Sequence, residues 1–364
     1  MSRTEEKYLR RCLELADGGR AWAHPNPLVG CVIVRKGLVV GEGLHRRFGG
    51  AHAEVEALRS AGGRARGSTL YVNLEPCSHQ GKTPPCTEAI IRAGVRTVVA
   101  SLPDPNPIVS GRGFRALRRA GIRVLQGILR KEARQLNEKF FAFMETGLPF
   151  VGVKVAQTLD GRIGDVRGDS RWITTALARA YGHRLRSEYD AILVGATTVR
   201  RDDPELTVRL VKGRNPHRVV LDGTLSIPAS SRVCATKRAP TIVLTSQRAM
   251  SAKRNKVVQL ERLGVQVFGI RSRSTRLTSF EILHVLADLG ISSVIVEGGA
   301  ETIRLFLQER QAKKMYCFFA PKILGSGIHG ITLSPRRLSK AIQILSPSVI
   351  RFDDNVMIEG AIKY

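Results

Sequence analysis

The period of the apolar positions changes repeatedly along the chain, and each change marks an element. Tyr8, Leu9, Cys12, Leu13, Leu15 and Ala16 recur at helical spacing and give way to Gly18-Gly19, which predicts an opening amphipathic helix. Two β-branched runs, 29–35 and 38–44, flank Lys36-Gly37 and predict a hairpin. Helices are then expected over 53–61, 86–93 and 113–120, alternating with strands over 69–74, 97–101 and 122–126. Such alternation builds an α/β sheet with helices on its faces. A helix predicted over 131–145 stops at Gly147-Leu148-Pro149, a natural boundary. Beyond it, short strands over 150–156, 191–194, 218–221, 241–244, 265–268 and 293–296 alternate with helices over 176–187 and 280–289. The chain therefore reads as two α/β domains, residues 1–146 and 147–364, with no internal repeat.

Composition narrows the class. With 43% hydrophobic and 24% charged residues among 364, the chain is an ordinary globular protein of more than one core. The longest apolar runs, 28–34 and 315–320, suit buried strands and are too short to cross a bilayer. The polar, acidic start lacks the apolar stretch of a signal peptide, so a cytoplasmic location is expected. Six scattered cysteines then stay free as core thiols or metal ligands.

The net charge of +27 taken alone points to nucleic acid or a membrane surface. Its distribution weakens that reading. Residues 1–146 carry 24 basic against 13 acidic side chains, and the remainder 34 against 18, so both domains are basic and no single arm is. Dispersed charge fits phosphate-bearing small substrates better than a dedicated nucleic-acid groove.

The sharpest chemistry lies in His52-Ala53-Glu54, Pro76-Cys77 and Cys86. One imidazole and two thiolates give zinc three ligands and leave a tetrahedral position for water, the arrangement of a catalytic site. Zinc lowers the pKa of that water, and Glu54, two residues beyond the His ligand, suits proton transfer between water, ring nitrogen and departing ammonia. Each residue alone is more simply a core histidine or a buried thiol. Together, two helix starts, three ligand types and a carboxylate at this offset point to a zinc deaminase, although the usual Pro-Cys-x-x-Cys half is lengthened here.

His24-Pro25-Asn26-Pro27-Leu28-Val29-Gly30-Cys31, His52-Ala53-Glu54, Leu74-Glu75-Pro76-Cys77-Ser78-His79, Gly81-Lys82-Thr83-Pro84-Pro85-Cys86 and Asp104-Pro105-Asn106-Pro107 closely resemble the bifunctional riboflavin-biosynthesis deaminase/reductase family. The resemblance implies a cytidine-deaminase-like three-layer N-terminal domain that deaminates 2,5-diamino-6-ribosylamino-4(3H)-pyrimidinone 5′-phosphate. It assigns His52, Cys77 and Cys86 to zinc and Glu54 to proton transfer, and it suggests substrate contacts for Asn26, His79 and Lys82. His45 and His183 receive no role.

In the second half, Lys154-Val155-Ala156-Gln157-Thr158-Leu159-Asp160-Gly161, Gly168-Asp169-Ser170-Arg171-Trp172, Gly195-Ala196-Thr197-Thr198, Asp202-Asp203-Pro204-Glu205-Leu206-Thr207-Val208-Arg209 and Glu297-Gly298-Gly299-Ala300 are similar to the same family's dihydrofolate-reductase-like reductase domain. Small residues after the strand over 293–296 let backbone N–H groups meet a cofactor phosphate at a helix start, without forming a Rossmann fingerprint. The family pattern implies an NADPH site lined by Ala156, Trp172, Thr198, Asp202, Gly299, Ala300, Glu301, Thr302, Ile303, Arg304 and Leu305. It sets Ser170, Arg186, Leu206, Arg209 and Glu297 toward substrate, and Arg186 and Arg209 suit a phosphate through bidentate bonds. The expected reaction reduces the opened ribosyl group at C1′, giving 5-amino-6-ribitylamino-uracil 5′-phosphate. Ala312-Lys313-Lys314-Met315 departs from the family's acidic pattern there and reads as surface drift.

The partners expected are thus small pyrimidine ribosyl phosphates, with no nucleic acid and no membrane, and a homo-oligomer is compatible with this. Two rivals remain at this level: a polynucleotide deaminase of the tRNA type, which the lengthened Cys-to-Cys insert and the second domain disfavour, and a catalytically silent zinc-fold binding protein, which Glu54 and the open ligand position disfavour.

Overall fold

The computed structural model describes residues 3–80, 84–107, 109–235, 237–271 and 277–364 and divides into two units, Met1–Gly147 and Leu148–Tyr364. In the first unit, strands β1 (Gly30–Arg35), β2 (Leu38–Leu44), β3 (Thr69–Val72), β4 (Thr97–Ala100) and β5 (Arg123–Gln126) form one sheet in the order β2-β1-β3-β4-β5. β1 runs antiparallel to both neighbours, and β3, β4 and β5 are parallel. Lys36 and Gly37 both have positive φ, the twist a tight two-residue hairpin needs.

Around the sheet lie α1 (Arg3–Asp17), α2 (Ala53–Ala61), α3 (Cys86–Arg92), α4 (Arg112–Arg119), α5 (Arg130–Leu136) and α6 (Glu138–Thr146). Successive side chains of β1 point to opposite faces. Cys31 and Ile33 pack with Ala53 and Ala57 of α2, Ile90 of α3 and Phe114 and Leu117 of α4. Val32 and Val34 pack with Tyr8, Leu9 and Cys12 of α1. The result is three layers. Helix α2 lies directly on β2 because Gly43 has no side chain: a Cβ there would fall 2.3 Å from the Ala53 carbonyl oxygen. That contact fixes the start of α2, which carries His52 and Glu54.

The helix predicted over 131–145 breaks at Asn137 (φ −106°, ψ 23°). Asn137 leaves the helical path to accept the Leu28 N–H at 2.7 Å and donate to the Leu28 carbonyl at 2.9 Å. Asn73 likewise donates to that carbonyl and accepts the Gly30 N–H, each at 2.8 Å, so two amides hold the entry to β1. Asn137→Ala leaves the buried Leu28 N–H unpaired and is expected to cost about 1–3 kcal/mol. Thermal unfolding checks this; an unchanged midpoint contradicts it.

In the second unit, strands β6 (Phe150–Thr158), β7 (Arg162–Gly164), β8 (Ala191–Gly195), β9 (His217–Leu221), β10 (Thr241–Ser246), β11 (Val265–Ile270), β12 (Ser293–Gly298), β13 (Lys314–Ala320), β14 (Ile328–His329), β15 (Gln343–Phe352) and β16 (Asn355–Lys363) follow one another. Nine of them form a sheet ordered β11-β10-β9-β8-β12-β6-β13-β16-β15, and β14 pairs with β7. Every pair from β11 to β13 is parallel; β16 and β15 are antiparallel additions at the edge. Helices α7 (Ala176–Ser187), α8 (Ala196–Asp202), α9 (Arg232–Ala235), α10 (Gln247–Ala252), α11 (Arg254–Arg262), α12 (Ser279–Asp288) and α13 (Ala300–Gln308) complete it. The core is the apolar ladder of Val151, Val153, Leu193, Val219, Ile242, Val294 and Val296, closed by Ile282, Leu286, Ile303 and Phe306.

In the departing segment 312–315, Lys313 is exposed while Ala312 and Met315 are buried. No helix among the described residues is long and apolar enough to cross a membrane.

Candidate functional site

His52 stands at the N-cap of α2, Cys86 opens α3, and Cys77 lies on the loop after β3. The close seating of α2 on the sheet brings the three together: one ligand atom from each lies within 4.8 Å of the others. His52 Nδ1 is 3.2 Å from Cys86 Sγ and 3.5 Å from Cys77 Sγ. Two ligands at zinc bond lengths and a tetrahedral angle stand about 3.5 Å apart, so both His52–cysteine separations suit one shared zinc ion. Among the described residues no fourth His, Cys, Asp or Glu belongs to this group.

The Cys86 N–H donates to Cys77 Sγ at 3.3 Å. Hydrogen bonding from Cys86 pulls the Cys77 thiol down, while the same contact and burial push Cys86 up. Glu54 is buried, and desolvation, helped by charge on Cys77 and opposed by His52, raises its carboxyl to about 7. A dication beside it works in the opposite direction.

Of the substrate candidates in this unit, Asn26 is half-buried and its Nδ2 lies 3.0 Å from His45 Nε2. His45 Nδ1 faces the Ala51 carbonyl at 3.0 Å, so Nδ1 donates and Nε2 accepts from Asn26. Its ring meets that of His52 edge-on at 5.4 Å. His45, given no role by the sequence, therefore orients Asn26 beside His52. His79 is exposed on the segment between Cys77 and Cys86, and Lys82 lies outside the described residues. Glu75 is a second residue the sequence left unassigned. Its carboxylate accepts the N–H groups of Asp104, Gly111 and Phe114 at 2.9–3.1 Å, tying the loop before α4 to the Cys77 loop.

In the second unit, α7 and the C-terminal end of β12 make the other cluster. Glu297 receives a bidentate pair from Arg186, Nε and Nη2 each at 2.9 Å, and Lys154 Nζ lies 3.8 Å away. Burial opposes the Glu297 charge, but Arg186 and Lys154 outweigh it and hold the carboxyl at about 2. Burial in turn lowers Lys154. In the sequence Lys154 belongs only to a strand motif; its pairing with Glu297 comes from adjacent strands, β6 and β12, which sequence spacing does not reveal. Leu206 is buried at φ 53°, Arg209 is exposed, and Ser170 is half-buried.

The cofactor candidates fall into two sets. Thr198 and Asp202 lie on α8, and the Gly298-Gly299 turn faces Thr198: a Cβ on Gly298 would stand 3.1 Å from Thr198 Cγ2, and one on Gly299 3.2 Å from Thr198 Oγ1. Thr302 Oγ1 would lie 2.7 Å from a Cβ on Gly195. Two strand-to-helix turns thus meet with backbone bare of side chains, a cradle suited to a cofactor phosphate. Ala156 is on β6, and Trp172 is exposed with the Arg179 guanidinium 4.3 Å from its ring. Within α13, Ala300 sits in the first turn, but Ile303 and Leu305 pack into the core, and Glu301 and Arg304 pair with each other at the surface. What α13 offers a ligand is its first-turn backbone together with Thr302.

Comparison with known proteins places this geometry. Residues 2–102 match the cytidine and deoxycytidylate deaminase zinc-binding region, and residues 149–348 match the RibD C-terminal domain. The riboflavin biosynthesis protein RibD of Aquifex aeolicus is 42% identical over 355 residues, 97% of either chain. That of Escherichia coli is 40% identical over 344 residues, 91% of either chain. Among solved structures, Acinetobacter baumannii RibD superposes with a TM-score of 0.89 at 35% identity, covering 100% of this chain and 99% of that one. A diaminohydroxyphosphoribosylaminopyrimidine deaminase/5-amino-6-(5-phosphoribosylamino)uracil reductase from Thermotoga maritima gives 0.83 at 39% identity, with 98% of both chains covered.

Proposed function

Since the chain belongs to the RibD family of riboflavin-biosynthesis deaminase–reductases, we propose that His52, Cys77 and Cys86 hold its zinc, that Glu54 moves the protons of deamination, and that reduction takes place beside Glu297. The enzyme is bifunctional and uses zinc and NADPH. The observation that carries the assignment is the convergence of one imidazole and two thiols within 4.8 Å, next to a buried carboxylate.

We assign residues 1–146 to deamination of 2,5-diamino-6-ribosylamino-4(3H)-pyrimidinone 5′-phosphate. Zinc supplies a water acidified toward neutral pH. Glu54 accepts a proton from the water at its carboxylate and passes it to the ring nitrogen; it then takes the proton left on the added hydroxyl and hands it to the departing amino group, which leaves as ammonia. Asn26, oriented by His45, hydrogen-bonds the substrate, and His79 and Lys82 take its ribose and phosphate.

Residues 147–364 carry the reduction to 5-amino-6-ribitylamino-uracil 5′-phosphate. NADPH supplies the hydride for C1′ of the opened ribosyl group, and the protein orients the two reactants. Ala156, Trp172, Thr198, Asp202 and the start of α13, its first-turn backbone with Thr302, hold the cofactor. Ser170, Leu206 and Arg209 take the substrate, with Arg209 as the phosphate partner. Arg186 gives three N–H groups to Glu297 and Thr207 and turns the rest to substrate. Glu297, held ionised, accepts hydrogen bonds. Small phosphorylated substrates account for the dispersed basic charge without nucleic acid, and a reducing cytoplasm suits the six free thiols.

The test is an assay of the purified chain with the diaminopyrimidine phosphate and NADPH, following ammonia and NADPH oxidation. Stripping zinc with a chelator is expected to abolish ammonia release, while NADPH oxidation on supplied deaminated substrate continues. Chelation that stops both reactions equally, or neither, contradicts the division of labour.

A further inference from the structure

Helix α7 carries His183 and Arg186 one turn apart on the same face. Both reach the segment 205–209. The Arg209 backbone N–H donates to His183 Nδ1 at 2.9 Å, and Arg186 Nη1 donates to the Thr207 carbonyl at 3.3 Å. Just before these anchors the backbone turns at Leu206, whose φ of 53° is one that a branched L residue occupies only where its surroundings hold it. The Arg209 side chain is folded back within the same segment, Nη1 lying 2.9 Å from Thr207 Oγ1 and 3.1 Å from Glu205 Oε2. The place of the Arg209 guanidinium therefore depends on the place of its backbone.

A backbone N–H can only donate, so His183 Nδ1 carries no proton and the neutral ring bears its hydrogen at Nε2. The surroundings favour that state: burial, then the charges of Arg186 and Arg209, bring His183 down to about 4. Removing the ring leaves the Arg209 N–H without its acceptor, and the segment is then tied to α7 through Arg186 and Thr207.

We propose that His183 is a positioning residue of the reductase: by accepting the Arg209 N–H at Nδ1 it fixes the turn through Leu206 and sets where the substrate phosphate is held. The proposal rests on the reading of Arg209 as the phosphate partner. It predicts an effect on substrate binding with little effect on the hydride step, because His183 acts through Arg209.

The experiment is steady-state reductase kinetics on the whole enzyme, with 5-amino-6-(5-phosphoribosylamino)uracil varied at saturating NADPH, for H183A, H183N, H183Q and R209A. The asparagine Oδ1 sits where Nδ1 was and can accept the same N–H; glutamine reaches the Nε2 position instead. H183A and H183Q are expected to raise KM about tenfold, as loss of one buried hydrogen bond implies, with kcat little changed. H183N is expected to restore KM close to that of the parent. If R209A raises KM but H183N is as impaired as H183A, or H183A leaves KM unmoved, the positioning role is overturned and the phosphate reading of Arg209 stands. If R209A itself leaves KM unmoved, the phosphate reading falls and the positioning role falls with it.

Discussion

Glu54→Gln is expected to lower ammonia release by about 10²- to 10⁴-fold while zinc content and NADPH oxidation on deaminated substrate stay at parental levels. Glutamine has the shape of the carboxylate but cannot take a proton from water or return one to the ring. His52, Cys77 and Cys86 are untouched, so the loss isolates proton transfer from metal binding. Glu54 is buried at the start of α2, in hydrogen-bonding reach of Cys86, and solvent cannot take over its task. Ammonia assays paired with metal analysis check this. Full activity, or loss of zinc from the variant, contradicts the role given to Glu54.

Glu297→Ala should act on the other unit alone. Its carboxylate is the anion between Arg186 and Lys154, whose side chains are 17% and 19% exposed. Deleting it leaves two facing cations with little water to screen them, and breaking such a buried pair costs about 3–5 kcal/mol. We expect a lower unfolding midpoint for the reductase unit, loss of NADPH oxidation, and retained ammonia release. The ion pair also has a pH signature. Because the folded-state carboxyl is held at about 2, below its ordinary value of 4.5, this stabilisation is present above the ordinary carboxylate range and is lost as pH falls toward 2. A Glu297→Ala enzyme that unfolds with the parent and still oxidises NADPH contradicts the assignment.

Local patterns made the first sheet and its cluster of His52, Cys77 and Cys86 legible. The Lys36-Gly37 turn, the alternation along β1 and the two helix starts at His52 and Cys86 are each set by residues close in sequence. What the sequence hid depends on partners far along the chain. The break at Asn137 exists because that amide pairs with Leu28, 109 residues away, which no helical periodicity records. Glu75, His45, Lys154 and His183 gain their roles in the same way, through contacts with loops or strands that only folding brings near. The β15–β16 hairpin escaped notice because β15 is an edge strand, mostly exposed and interrupted near Pro347 by a register shift, so its apolar alternation is weak. In α13 the Gly-Gly start was readable, but the helical period that turns Ile303 into the core and Glu301 to solvent divides residues that the family pattern groups together.

The central claim is a zinc ion held by one imidazole and two thiolates with its fourth position left to water. X-ray absorption at the zinc edge of the purified enzyme tests it most directly. Two sulfurs at about 2.3 Å and two lighter atoms at about 2.0–2.1 Å are expected, with one sulfur lost in Cys77→Ser. A shell of four protein ligands, or a spectrum unchanged by that substitution, contradicts it.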